Sequence, residues 1–103
     1  MKLITSSLIK QFRQIWNQSN EADPIIICKF FNPTGSGTWY ASEYDEDNRI
    51  FFGYVSIFGD WNDEWGYFSL DELESFRWMW SLGIERDLSF ESKRFSLLKI
   101  GIE

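Results

Sequence analysis

The chain has no histidine and a single cysteine, Cys28, among its 103 residues. Without histidine it can form neither a Ser-His or Cys-His nucleophile nor an imidazole metal cage. One thiol excludes an intrachain disulfide and a thiolate zinc site. No stretch approaches the about 18 uninterrupted apolar residues of a spanning helix, and the start, MKLITSSLIKQF, lacks the apolar core of a signal peptide. We therefore expect a cytoplasmic protein with no membrane contact, no metal and no cofactor.

Aromatic residues, by contrast, are abundant: 10 Phe, 6 Trp and 4 Tyr in a chain that is 44% hydrophobic. A chain of this length forms one domain, and this composition supplies enough apolar surface for one core. We expect a single domain over residues 1–103, with Cys28 buried in it as a small apolar side chain.

The negative charge is concentrated in the middle of the sequence. Residues 43–74 carry ten acidic side chains and one basic one, a charge of −9 in a chain whose net charge is −6. Nucleic-acid binding needs a basic face that displaces counterions from phosphates, and no such cluster is present. The sequence argues against direct nucleic-acid binding and favours the basic surface of a host protein or nucleoprotein complex as the partner.

Hydrophobic periodicity predicts an α+β fold. Residues 5–17 have the spacing of an amphipathic helix, with Thr5 or Ser6 as N-cap and Trp16 on the apolar stripe. Residues 25–31, 38–45, 50–58 and 84–90 read as strands, with a short strand before a second helix at about 70–78, which Ser69 would cap. The sum is a mostly antiparallel sheet of four or five strands with the two helices packed on it.

The loop NPTGSG resembles a phosphate cradle, but no Lys or Arg lies between Lys29 and Arg49 and a strand follows it. We interpret Gly35 and Gly37 as hairpin glycines with positive φ. Gly53, inside the third strand, predicts a bulge or a close backbone approach. The acidic loop from Asp60 does not fit a calcium loop, because Trp65 stands where a glycine is needed.

Strand alternation places Glu43 on the face of Trp39, and Arg86 on the face of Leu88 and Phe90. Two interpretations follow. Glu43 and Arg86 form a partly buried structural ion pair, which we favour, or Glu43 is a desolvated general acid.

The segments FNPTGSGTWYASEYD, FFGYVS, GYFSLDELES and GIERDLSF, in this order, resemble an uncharacterised bacterial family, domain of unknown function 2958. The resemblance covers about residues 31–90 and brings no established activity. It implies an origin in plasmids, integrative elements or phages. The segment GDWNDEW departs from the family's pattern.

These observations predict a non-enzymatic binding protein of a mobile genetic element, whose acidic and aromatic middle third contacts a basic host surface. A specific form is an inhibitor of a nucleic-acid-targeting defence system that acts as a partial nucleic-acid mimic. The alternative is a small enzyme or ligand-binding domain that uses Glu43, Tyr40, Arg86 and the glycine loop. Whether Trp61, Trp65, Trp78 and Trp80 lie in the core or on the surface stays open. The predicted partner-binding residues are Asp45, Glu46, Asp47, Asp60, Trp61, Asp63, Glu64 and Trp65.

Overall fold

Two helices lie against one face of an antiparallel sheet. The computed structural model describes residues 2–59, 62–78 and 82–98. The helices are α1 (Ser6–Ile15) and α2 (Leu70–Ser75), and a 3₁₀ helix spans Phe95–Leu97. The architecture is α+β, as predicted. The strands are β1 (Ile25–Ile26), β2 (Cys28–Phe31), β3 (Thr38–Asp45), β4 (Ile50–Ser56), β5 (Glu64–Ser69), β6 (Arg77–Trp78), β7 (Leu82–Gly83), β8 (Glu85–Arg86) and β9 (Lys93–Arg94).

The main sheet has five strands in the order β5-β4-β3-β2-β8, and every neighbouring pair is antiparallel. This confirms the predicted sheet. Two small ribbons accompany it, β1 with β9 and β6 with β7. The predicted strand 25–31 is divided between a ribbon and the sheet, because Ile27 donates its N–H to the carbonyl of Ala41 at 2.8 Å and separates β1 from β2.

The core is built around Phe51, which is fully buried near the start of β4. Its ring lies 5.2 Å from Phe30 of β2, 5.2 Å from Phe68 of β5 and 5.9 Å from Phe12 of α1. Cys28 belongs to the same cluster, which confirms the buried thiol. Leu70 and Leu73 of α2 join it from the same side of the sheet, so both helices cover one face.

Helix α1 begins as predicted, because the side chain of Thr5 accepts a hydrogen bond from the backbone N–H of Leu8. It ends one residue earlier than its apolar stripe suggests. At Trp16 the backbone turns to φ 63° and ψ −120°, and the side chain is 77% exposed instead of buried. The prediction that Trp16 belongs to the apolar stripe of the helix is therefore wrong.

Helix α2 is capped by Ser69, whose side chain accepts from the N–H of Glu72, as the spacing predicts. It is shorter than expected, because Phe76 is already extended. The predicted strand 84–90 also shortens to β8, since Asp87 bonds the N–H and hydroxyl of Ser89 and forms a turn. Neither α1 nor α2, the α-helices of the described ranges, is long and apolar enough to cross a membrane.

A β-bulge in β3 changes which face its last residues occupy. Ala41 pairs with Gly53 and Glu43 pairs with Phe52, so Ser42 is the extra residue. A Cβ on Gly53 would lie 1.9 Å from the carbonyl oxygen of Tyr40, which confirms the close approach predicted at this glycine. Because side chains alternate along a strand, one extra residue moves Glu43 to the face opposite Ala41.

Candidate functional site

The face of the sheet turned away from the two helices carries a row of aromatic side chains, which we call the outer face. Phe52 of β4 pairs with Tyr67 of β5, and Tyr54 pairs with Trp65. The ring centroids of Phe52 and Tyr67 are 5.0 Å apart, and those of Tyr54 and Trp65 are 5.5 Å apart. Cross-strand aromatic pairs of this kind stabilise a sheet and, where water reaches them, present a large apolar surface.

The C-terminal part of the described chain covers one portion of this face. Phe95 lies 4.9 Å from the ring of Tyr54 and 4.7 Å from that of Trp65. The segment is held by the carboxylate of Asp23, which accepts from both the N–H and the hydroxyl of Ser96. These hydrogen bonds, above all that from the hydroxyl, lower the pKa of Asp23. Tyr67 stays uncovered, with 78% of its surface exposed.

Glu43 stands among these rings. The bulge turns it outward opposite Phe52, and its Oε2 accepts a hydrogen bond of 3.0 Å from the backbone N–H of Gln18. Gln18 is itself fixed, because its buried side-chain amide donates to the carbonyls of Ile25 and Ser42 and accepts from the N–H of Ile25. The carboxylate of Glu43 is thus oriented by the backbone of the segment that follows α1.

A groove of about 620 Å³ lies between the end of α1, the β3–β4 turn and the outer face. Trp16 and Tyr67 contribute exposed rings to it, and Phe52 contributes a half-buried one. Trp16 adopts positive φ, a backbone conformation that costs a non-glycine residue of order 1–3 kcal/mol and is found at functional sites. The sequence did not indicate Trp16 as a site residue, because helical spacing alone places it one turn after Phe12 on the apolar stripe. Only the end of the helix turns it outward.

The rim of this groove is acidic. It carries four carboxylates, and one base, Arg13, opposes them. Arg13 binds Glu46 with two hydrogen bonds of 2.7 Å, which lower the pKa of Glu46. Asp45 has a structural role, since it accepts from the side-chain amide of Asn48 and from backbone N–H groups of the turn, and these bonds lower its pKa. The four carboxylates belong to Glu43, Asp45, Glu46 and Asp47.

The acidic members of the predicted partner-binding set that the structure describes lie at two separate places. The turn with Asp45, Glu46 and Asp47 precedes β4, whereas Asp63 and Glu64, just before and at the start of β5, follow it. Seven residues of β4, at about 3.3 Å each, separate the two by roughly 20 Å. Antiparallel hairpins necessarily place successive turns at opposite ends of the shared strand. Asp60, Trp61 and Trp80 lie outside the described residues, as does the side chain of Trp78.

Of the two remaining acidic residues, Asp63 and Glu64, one makes a hydrogen bond within the fold and the other is exposed. Asp63 accepts a hydrogen bond of 2.8 Å from the hydroxyl of Ser56, and Glu64 is exposed. Trp65 belongs to the outer face, where it contacts Phe52, Tyr54 and Phe95. Trp65 therefore belongs to the aromatic row of the outer face.

The structure does not bring Glu43 and Arg86 together, so the predicted ion pair is wrong. Arg86 pairs with Phe30 in the register of the sheet and donates to the carbonyls of Lys2 and Leu3 at 2.7 and 2.9 Å. The bulge is the reason, because it turns Glu43 to the other face. The alternative ligand site, which would use Glu43, Tyr40, Arg86 and the glycine loop, stays a prediction.

The glycine loop is a hairpin connection between β2 and β3, as predicted. Gly37 adopts φ +126°, which confirms the need for glycine there, whereas Gly35 does not adopt positive φ. The loop is closed by Asn32, whose side chain accepts from the N–H and hydroxyl of Thr34. Among residues 2–59, 62–78 and 82–98, no three His, Cys, Asp or Glu side chains group to hold a metal ion.

Fold and site together define a small α+β domain with helices on one face of its sheet and an aromatic, acid-rimmed groove on the other. The chain belongs to the family described as Protein of unknown function (DUF2958), which matches residues 2–98. No curated protein and no solved structure matches it.

Proposed function

We propose that this chain is a protein-binding domain whose outer face docks on a basic surface of a partner protein. The observation that carries the proposal is the juxtaposition of exposed rings with a carboxylate rim in one groove. Trp16 and Tyr67 are 77% and 78% exposed. Large apolar surfaces left in contact with water mark interaction sites. Exposed Trp and Tyr side chains are the residue types that dominate binding energy in protein interfaces.

The negative charge of the groove favours a partner surface with positive charge. Four carboxylates face a single guanidinium, and that guanidinium is occupied by Glu46. A negative rim attracts Lys and Arg, speeds their encounter and repels phosphates. This supports a basic protein surface and argues against direct nucleic-acid binding.

A more specific form of the proposal names the genetic origin of the protein and the host protein that it binds. The sequence resemblance supports a protein of a bacterial mobile genetic element that acts in the cytoplasm of its host. The target in this form is the basic nucleic-acid channel of a defence protein, in which the acidic groove takes the place of phosphates. The negative charge of residues 43–74 supports such mimicry.

The test compares matched variants in a quantitative pull-down from host lysate, followed by affinity measurement with the captured partner. Tyr67→Ala and Trp16→Ala are each expected to weaken binding by about 2 kcal/mol or more, roughly thirtyfold. Leu88→Ala is the control, because Leu88 is 72% exposed but lies in the turn after β8, away from the groove. Equal capture by all three variants would overturn the proposal.

Charge is tested separately. Asp47→Lys reverses an exposed rim charge, and Glu91→Lys makes the same change at an exposed position outside the groove. We expect Asp47→Lys to slow association several-fold at low salt, with the difference shrinking as ionic strength passes about 0.15 M. An identical effect of the two reversals would mean that net charge, and not this groove, attracts the partner.

A further inference from the structure

A ridge divides the open part of the outer face into two compartments. The ridge consists of Glu43, Phe52 and Tyr67, which line both. On one side is the groove of about 620 Å³, here called the acidic compartment, and on the other is a cavity of about 410 Å³, here called the apolar compartment. From this division, and resting on the proposed function, we infer that the partner presents an extended segment with an arginine for the first compartment and an aliphatic side chain for the second.

The acidic compartment suits a guanidinium. The carboxylate of Glu43 is oriented by the backbone N–H of Gln18, and Asp47 of the β3–β4 turn adds a second carboxylate. The rings of Trp16 and Tyr67 line the same space. A guanidinium is planar, stacks on aromatic faces and pairs with a carboxylate through two parallel hydrogen bonds, which the ammonium of lysine cannot do. Arginine therefore fits this mixture of rings and carboxylates better than lysine.

The apolar compartment is lined by the rings of Phe52, Trp65 and Phe95, with Pro24 and Ala22 on the opposite wall. Two of its polar side chains, those of Gln18 and Glu21, are already engaged. The amide of Gln18 bonds backbone groups of Ile25 and Ser42, and Glu21 forms an ion pair of 3.5 Å with Arg94. A leucine-sized side chain placed there would cover aromatic surface without leaving a buried polar group unpaired.

The geometry of the ridge sets the spacing of the two side chains. The acidic compartment reaches the β3–β4 turn through Asp45 and Ile50, and the apolar compartment reaches the start of β5 through Trp65 and the 3₁₀ helix through Phe95. A ligand that spans both crosses the ridge along the strand direction. In an extended segment, residues two apart project from the same side at about 7 Å. We therefore expect arginine and the aliphatic residue to stand two or four positions apart.

The test is a titration of the ¹⁵N-labelled full chain, followed by NMR, with short capped Gly/Ser peptides that carry one arginine and one leucine. Parallel peptides replace the arginine with glutamine, or the leucine with serine. The peptide with both side chains two or four apart is expected to bind roughly tenfold tighter than either single-side-chain peptide, since charge-assisted hydrogen bonds and a buried aliphatic group each contribute about that much.

Two variants assign the compartments. Glu43→Gln keeps an acceptor for the N–H of Gln18 and is expected to weaken only arginine-containing peptides, by roughly tenfold. Ala22→Lys places a charge on the exposed wall of the apolar compartment and is expected to weaken only leucine-containing peptides. Glu91→Gln is the control, and equal thermal unfolding of all variants shows that the fold is intact.

The outcomes separate this inference from the proposed function. If the peptide with arginine alone binds as well as the peptide with both side chains, or if Ala22→Lys changes nothing, the two-compartment inference is overturned while docking on a basic surface stands. If no peptide shifts residues of the groove, the inference fails. If Tyr67→Ala and Trp16→Ala also leave partner capture unchanged, the proposed function fails with it.

Discussion

Replacement of Gly53 by alanine is expected to disrupt the sheet at the bulge that turns Glu43 outward. The added Cβ would lie 1.9 Å from the carbonyl oxygen of Tyr40 and 2.8 Å from its carbonyl carbon. Both obstacles are backbone atoms, so β3 and β4 must move apart by about 1.5 Å to restore an ordinary contact. Gly66, which faces Gly53 on β5, is a matched control, because a Cβ there would meet nothing within 4 Å.

The magnitude follows from this contact. Overpacking costs typically about 1–3 kcal/mol, and a clash with backbone belongs at the upper end or beyond. We therefore expect Gly53→Ala to lower the free energy of unfolding by about 3 kcal/mol or more, out of roughly 5–15 kcal/mol for a domain of this size. Gly66→Ala is expected to raise it by about 0.5 kcal/mol, because alanine restricts the unfolded chain.

Urea unfolding followed by circular dichroism measures both changes. In thermal unfolding, Gly53→Ala should lower Tm by roughly 12 °C or more, and Gly66→Ala should leave it equal or slightly higher. A loss below about 1 kcal/mol for Gly53→Ala, or equal losses for the two variants, would refute the close approach of β3 and β4 and with it the reason for the bulge.

Two further predictions concern Cys28 and Asp23. Burial raises the pKa of the Cys28 thiol to about 12, so Ellman's reagent at pH 8 should leave the native protein unlabelled and label the urea-unfolded chain rapidly; equal rates would contradict the burial. The hydrogen bonds from Ser96 lower the pKa of Asp23 below its ordinary 3.8, so their stabilisation is present above that pH and is lost as the pH falls through the folded-state pKa. Asp23→Ala should therefore lower the urea midpoint at pH 7, and the difference from the original chain should narrow below about pH 4; an unchanged difference at pH 2.5 would contradict this role.

Much of the fold could be predicted from local patterns. Thr5 and Ser69 cap the helices as their spacing indicates, and the apolar residues of β2 and β4 place Cys28 and Phe51 in the core. These features depend on residues a few positions apart, which a sequence displays directly. The helix ends and the strand 84–90 were less predictable, because Trp16, Phe76 and Asp87 leave regular structure through backbone turns that periodicity does not reveal.

For the candidate site, the sequence predicted the types of residue but not which of them lie together. An acidic, aromatic middle third was evident, and Trp65, Glu46 and Asp47 belong to the outer face or its rim. The ion pair of Glu43 with Arg86 was wrong, and Trp16 and Tyr67 were missed as site residues. Each of these depends on which face of the sheet or helix a side chain occupies, and a single extra residue reverses that face along a strand.

The sequence by itself determined the charge distribution and the composition of this protein. It has a segment with a charge of −9, 20 aromatic side chains (10 Phe, 6 Trp and 4 Tyr) and no histidine. Only the tertiary structure decided where they meet. Next to the bulge at Ser42, the carbonyl of Tyr40 approaches the backbone of Gly53, a contact between strands that local propensity does not encode. The extra residue of this bulge moves Glu43 from the core side to the aromatic face, beside Phe52 and Tyr67.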